Sequence, residues 1–168
     1  SYGSGVLNTD SSFDTFAKKA IKNDIKIGAY FFSSAITKEE ASEEADYVLN
    51  IIKPYKITYP VVLDFEVIAG DTYRQENLTS EELTDIIITF CDKIEKAGYK
   101  PMIYSNLKGF VGRLDLTRLE KYEKWLAYYS DTPYFPYEFS IWQYTESATL
   151  DGVSGNTIDL NISFKDYN

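Results

Sequence analysis

The chain has 168 residues, no histidine and a single cysteine, which excludes Ser-His-Asp and Cys-His catalysis, HExxH zinc sites and an internal disulfide. Its net charge of −9 comes with no run of Lys or Arg, which opposes nucleic-acid binding. No apolar stretch approaches the ~20 residues of a membrane span, so neither nucleic acid nor membrane is expected as a partner.

Residues 12–23 place Phe13, Phe16, Ala17, Ala20 and Ile21 on one helical face, which predicts an amphipathic helix. Ile25 to Ser33 reads as a buried strand ending in Tyr30-Phe31-Phe32. Thr37-Lys38-Glu39-Glu40 has the spacing of a capping box and opens a helix that turns Ala41, Ala45, Val48, Leu49 and Ile52 inward and stops before Pro54.

Tyr59-Pro60-Val61-Val62 then leads into Leu63-Asp64-Phe65-Glu66-Val67, a short apolar strand with two carboxylates at i and i+2. Side chains alternate along a strand, so Asp64 and Glu66 share a face with Cα atoms ~6.5 Å apart. Acids on an apolar strand cost stability, and glycoside hydrolysis needs two carboxyl groups in different protonation states. The same spacing also arises at an ordinary polar strand end. With histidine and thiol pairs absent, carboxylates and tyrosines are the groups left for acid–base work.

A polar loop runs through about residue 78, and a second capping box, Thr79-Ser80-Glu81-Glu82, opens a long helix carrying Leu83, Ile86, Ile87, Phe90 and Ile94. Cys91 falls on its apolar face, as a packed thiol rather than a nucleophile, and Gly98 is placed to cap the end. Residues 101–105 predict a strand and residues 115–122 a brief helix. Three strands follow, at 124–129, 139–145 and 157–162, with no helices between them. No glycine-rich nucleotide-binding fingerprint occurs and no metal-ligand set is evident, so no cofactor is expected.

Such β–α alternation argues for one α/β domain over residues 1–168 with a parallel sheet. The length is short for eight complete β/α units, which take ~250 residues. An irregular TIM-like β/α barrel, with β/α units first and bare strands at the C-terminal end, fits better. The 15 Tyr, 10 Phe and 2 Trp exceed what a core of this size needs and suit the stacking and hydroxyl recognition of sugars.

Taken together, Gly28-Ala29-Tyr30-Phe31-Phe32, Leu63-Asp64-Phe65-Glu66, Ile103-Tyr104-Ser105, Trp125-Leu126-Ala127-Tyr128-Tyr129, Ile141-Trp142-Gln143-Tyr144 and Asp159-Leu160-Asn161 resemble, in this order, glycoside hydrolase family 25, the lysozyme (N-acetylmuramidase) family. The resemblance implies a barrel whose strand ends line a groove for bacterial cell-wall peptidoglycan, and cleavage of the β-1,4 bond from N-acetylmuramic acid to N-acetylglucosamine. Glu66 matches the family's general acid, Asp64 its assisting carboxylate and Asp159 a third acidic position. Tyr30, Tyr104, Tyr128, Trp142 and Gln143 match groove-lining, substrate-binding positions. An extracellular or cell-wall setting, or release from a phage at lysis, is implied too, although the chain carries no signal peptide.

One departure stands out. Family members begin with a strand carrying an Asp, and Ser1-Tyr2-Gly3-Ser4-Gly5 aligns near the end of the second strand. The expectation is therefore an N-terminally incomplete barrel, with exposed strand edges open to self-association. Two alternatives stay open: a glycan-binding pseudoenzyme, and a glycosidase acting on another N-acetylhexosamine polymer.

Overall fold

Helices and strands alternate as the hydrophobic periods predict. The computed structural model describes residues 6–67, 74–153 and 157–167, in the order α1 (Phe13–Lys22), β1 (Ala29–Phe32), α2 (Lys38–Ile52), β2 (Val61–Asp64), α3 (Ser80–Lys96), β3 (Pro101–Asn106), α4 (Leu107–Arg113), β4 (Glu123–Ala127), β5 (Ile141–Ala148) and β6 (Ile158–Ser163). The six strands form one sheet in sequence order. Strands β1 to β5 run parallel and β6 returns antiparallel to β5. The sheet curls as part of a β/α barrel, with β/α units first and β5 and β6 as bare strands, and among the described strands β1 and β6 are the outermost.

The capping residues act as the sequence predicts, with one variation. Thr79 closes a full box: its hydroxyl accepts from Glu82 N at 3.2 Å and its backbone N–H donates to the Glu82 carboxylate at 2.8 Å. Thr37 caps α2 by accepting from Glu40 N, but the Glu40 carboxylate turns elsewhere, to Ile36 N at 2.9 Å and to Arg74 at 2.7 and 2.8 Å. A bidentate arginine outcompetes the reciprocal half of that box. Gly98 follows α3 at φ +88°, the left-handed conformation that ends helices at glycine.

Helices α2 and α3 lie against the convex face of the sheet. There Ala41, Ala45, Val48 and Ile52 meet Leu83, Ile86, Ile87, Phe90, Cys91 and Ile94 over Phe31, Leu63, Phe65, Ile103 and Leu126. Burying each large apolar side chain contributes about 1.5–3 kcal/mol. Phe90, fully buried and stacked on Phe31, is the residue whose truncation to Ala would cost about 3–5 kcal/mol. The thiol of Cys91 is fully buried, and burial pushes its pKa up.

Three local expectations are corrected. Helix α1 buries Ala17 but leaves Phe16 63 % exposed, because it meets the rest of the molecule mainly through Phe13, edge-on to Tyr55. Residues 25–28 are not strand; the carbonyl of Ile27 instead accepts from Thr58 N and Tyr59 N. Residues 115–122 form successive turns rather than a helix, and the buried Lys124 ammonium donates to the carbonyls of Leu119 and Tyr122. The helix of this region is α4. Its N-cap Asn106 accepts from Gly109 N at 2.8 Å, and buried Phe110 anchors it to the core.

Candidate active site

The concave face of the sheet follows from the two-residue period of its strands. Tyr30 of β1, Val62 and Asp64 of β2, Met102 and Tyr104 of β3, Trp125 and Ala127 of β4, and Ile141 and Gln143 of β5 alternate with the core-facing residues. In β/α barrels the C-terminal strand ends carry the chemistry. Asp64 is the last residue of β2, and Glu66 follows on the same alternation, just beyond the strand.

Several contacts hold this end of β2 in place. Ser33 N donates to Asp64 O at 3.0 Å and Phe65 N to Tyr104 O at 3.0 Å, so both neighbouring strands grip the segment. The Ser105 hydroxyl donates to Phe65 O at 2.5 Å. On the other side, the buried Glu44 carboxylate accepts from the Ser33 hydroxyl at 2.6 Å and from Ser34 N at 3.2 Å. An acid at an inward position of α2 is absent from the apolar pattern; it is used to hold the loop after β1.

The Tyr30 hydroxyl donates to Asp64 Oδ2 at 2.6 Å, while Asp64 Oδ1 is buried and finds no hydrogen-bond partner among the described residues. Burial, chiefly, pushes the Asp64 pKa up to about 8; the Glu66 charge adds to this and the Tyr30 hydrogen bond opposes it. Glu66 is half-buried, and its pKa is raised by burial first and then by the charge of Glu146. The like charge that acts on Glu66 is that of Glu146 on β5. The phenols of Tyr30 and Tyr104 are held neutral by burial and by the carboxylates around them.

Tyr30, Tyr104 and Trp125 form an edge-to-face trio with ring centroids 5.3–5.8 Å apart. The Trp125 indole N–H donates to Asn161 Oδ1 of β6 at 2.8 Å. The Tyr104 hydroxyl at 2.7 Å and the Tyr129 hydroxyl at 3.0 Å both donate to Gln143 Oε1. Toward the N-terminal strand ends the concavity turns apolar, with a hollow of about 340 Å³ lined by Tyr59, Pro60, Val62, Met102 and Ile141.

The structure therefore brings together Asp64, Glu66, Tyr30, Tyr104 and Gln143. Asp159 on β6 is exposed, and its charge reaches the Tyr129 phenol. Tyr128 packs partly buried against the helix-side core, and Tyr129 takes the groove position instead. Trp142 lies on the opposite face of β5 from Gln143, with its indole N–H on Tyr128 O at 2.8 Å, and lines a separate depression with Tyr144, Thr145 and Ile162. Trp125 and Tyr129 also face the groove, and the charge of Glu146 acts on Glu66, although motif reading singled out none of the three. Strand parity between Trp125 and Ala127 is the signal that could have found Trp125.

Comparison with known proteins agrees with this architecture. Residues 3–153 match the family model of glycosyl hydrolases family 25. A Streptococcus phage B30 protein described as D-alanyl-L-alanine endopeptidase is 31% identical over 133 residues, covering 71% of this chain but only 28% of that protein. The CTP1L endolysin superposes with a TM-score of 0.76 at 26% identity, over 96% of this chain and 55% of that one. The modular Cpl-1 endolysin, solved with a peptidoglycan analogue, gives 0.63 at 26% identity, over 89% and 43%. The chain thus spans about a quarter to a half of the length of these relatives. By class it is a glycoside hydrolase. It belongs to glycosyl hydrolases family 25.

Proposed function

We propose that this chain cleaves the glycan strand of bacterial peptidoglycan as a muramidase, at the β-1,4 bond from N-acetylmuramic acid to N-acetylglucosamine. The observation that carries this reading is the buried Oδ1 of Asp64, without a hydrogen-bond partner among the described residues, on the same face as a half-buried Glu66. Leaving a buried acceptor unpaired costs about 1–3 kcal/mol, a cost that a substrate N–H donor would remove. The acetamido group of an N-acetylated sugar is such a donor. A hydrogen bond to the ionised form would lower the Asp64 pKa and restore the anion next to the developing positive charge of the sugar.

Glu66 is the general acid in this scheme. Burial and the Glu146 charge keep its proton available for the leaving glycosidic oxygen. Tyr30 fixes one oxygen of Asp64 and thereby aims the other. Two phenols occupy the Gln143 carbonyl oxygen, so its amide N–H groups are the ones offered to polar substrate atoms. The peptidoglycan analogue bound to Cpl-1 supports the same substrate class here, and a cell-wall site of action follows from it.

The test is product analysis on purified peptidoglycan. A muramidase releases reducing ends that borohydride converts to the alcohol of N-acetylmuramic acid. The alcohol of N-acetylglucosamine would indicate the other glycosidic bond. New amino groups without reducing ends would indicate peptide cleavage, the activity in the description of the phage B30 protein. Tight binding with neither product would leave a glycan-binding module.

A further inference from the structure

Strand β5 does not run regularly along β6. Its register is Gln143 opposite Asn161, then Thr145 opposite Leu160, then Ala148 opposite Ile158, with shifts between each pair. Between the first two pairs β5 advances two residues while β6 advances one. Such an extra residue is a bulge, which re-aims the side chains that follow it.

The consequence falls on Glu146. In an unbroken strand, residues three apart point to opposite faces, so Gln143 in the groove would place Glu146 on the far side. One inserted residue reverses that parity and returns Glu146 to the groove side. Two contacts agree with this placement. The charge of Glu146 acts on the Tyr129 phenol, whose pKa is pushed up to about 12 by burial first and then by that charge. It also reaches Glu66 across the groove. Tyr129 itself donates to Gln143, so Glu146, Tyr129, Gln143 and Tyr104 form a line across the concave face.

From this geometry we infer that Glu146 is a positioning residue of the site: the β5 bulge turns it to the groove side, where it sets a like charge beside Glu66 and beside the Tyr129 phenol. The inference rests on the reading of Glu66 as the acid. The other titratable groups around this end of the groove are Tyr30 on β1, Asp64 on β2, Tyr104 on β3, Tyr129 after β4 and Asp159 on β6. Of the carboxylates, Glu146 is the one whose charge acts on both Glu66 and Tyr129.

Glu146→Gln removes the charge and keeps the size and polarity of the side chain. Carboxyl-carbon NMR should show Glu66 titrating lower by about half a pH unit at low ionic strength, the scale of one partly screened like charge. The alkaline limb of peptidoglycan turnover should move down with it. Both differences should shrink in 0.5 M salt. Glu146→Asp, which keeps the charge, should stay nearer the parent, and Tyr129→Phe should change KM more than the pH midpoint. An unchanged Glu66 titration in Glu146→Gln, with native thermal stability, overturns the inference. The NMR readout needs no turnover, so loss of the muramidase reading and loss of this one are distinguishable.

Discussion

Asp64 receives the Tyr30 hydroxyl on Oδ2 at 2.6 Å and, among the described residues, no donor on Oδ1, although both oxygens lie in a residue only 3 % exposed. The pairing joins residues 34 apart in sequence through the parallel register of β1 and β2, in which Tyr30 sits beside Val62 and Phe32 beside Asp64. It leaves a carboxyl group half satisfied at the mouth of a curled sheet. A buried acceptor left without a donor costs about 1–3 kcal/mol.

Asp64→Asn should stabilise the protein in a pH-dependent way. The folded-state pKa of about 8 lies above the ordinary carboxylate value, so between the two the native state holds a proton that the unfolded chain has lost. Stability then falls as pH rises through that window. Asparagine cannot ionise and escapes the loss. Thermal melts should show the variant ahead of the parent at pH 8 by an amount on the order of a few kcal/mol, with the two converging near pH 4. A gap of the same size at both pH values would contradict the burial of an ionisable Asp64. Turnover should fall in the same variant.

Tyr30→Phe removes the one hydrogen bond that favours the Asp64 anion. The Asp64 pKa should rise further, and the loss of stability should grow toward about 1–3 kcal/mol as pH rises above 8, where the parent carboxylate is ionised with its donor and the variant's is not. Near pH 4 the cost should be smaller. In a double-mutant cycle with Asp64→Asn, the Tyr30 effect should lose its pH dependence. Additive, pH-independent losses would mean that the phenol stabilises the sheet through ring packing alone.

Glu66→Gln should lower peptidoglycan turnover by about 10²–10⁴-fold, the usual contribution of general acid catalysis, while glycan binding persists. Asp159→Asn should do less, because Asp159 is exposed and acts on the site through the Tyr129 phenol. Rates on one peptidoglycan preparation rank the two. Equal losses would place Asp159 in direct contact with the reacting sugar.

Gly109→Ala tests how the strand end is held. An added Cβ would lie 2.1 Å from Ser105 Oγ, the atom that donates to Phe65 O one residue before Glu66. The serine must move and its hydrogen bond must break. The expected cost is about 1–3 kcal/mol in denaturant unfolding, accompanied by lower activity through displacement of Glu66. Combining Gly109→Ala with Ser105→Ala removes the clashing oxygen and should restore part of the stability, since Ser105 Cβ lies 3.4 Å from the added carbon. A double variant no better than the single would point to strain within α4 itself.

Much of this molecule is set by local sequence. The Thr79 box and the placement of Gly98 bound α3, apolar periods select the convex core, and the two-residue spacing of Asp64 and Glu66 turns both to one side where β2 ends. These rules act over a few residues, within which neighbours fix the geometry. Tertiary structure decided the rest. It put Tyr129 rather than Tyr128 at the groove, and Gln143 rather than Trp142, because parity at the ends of β4 and β5 depends on pairing with distant strands. It brought in Glu146 through a bulge that no short motif announces. It also made turns of residues 115–122, where buried Lys124 takes two of their carbonyls. Above all it set the protonation of the paired acids, since desolvation and the field of remote charges exist only once the sheet has curled around them.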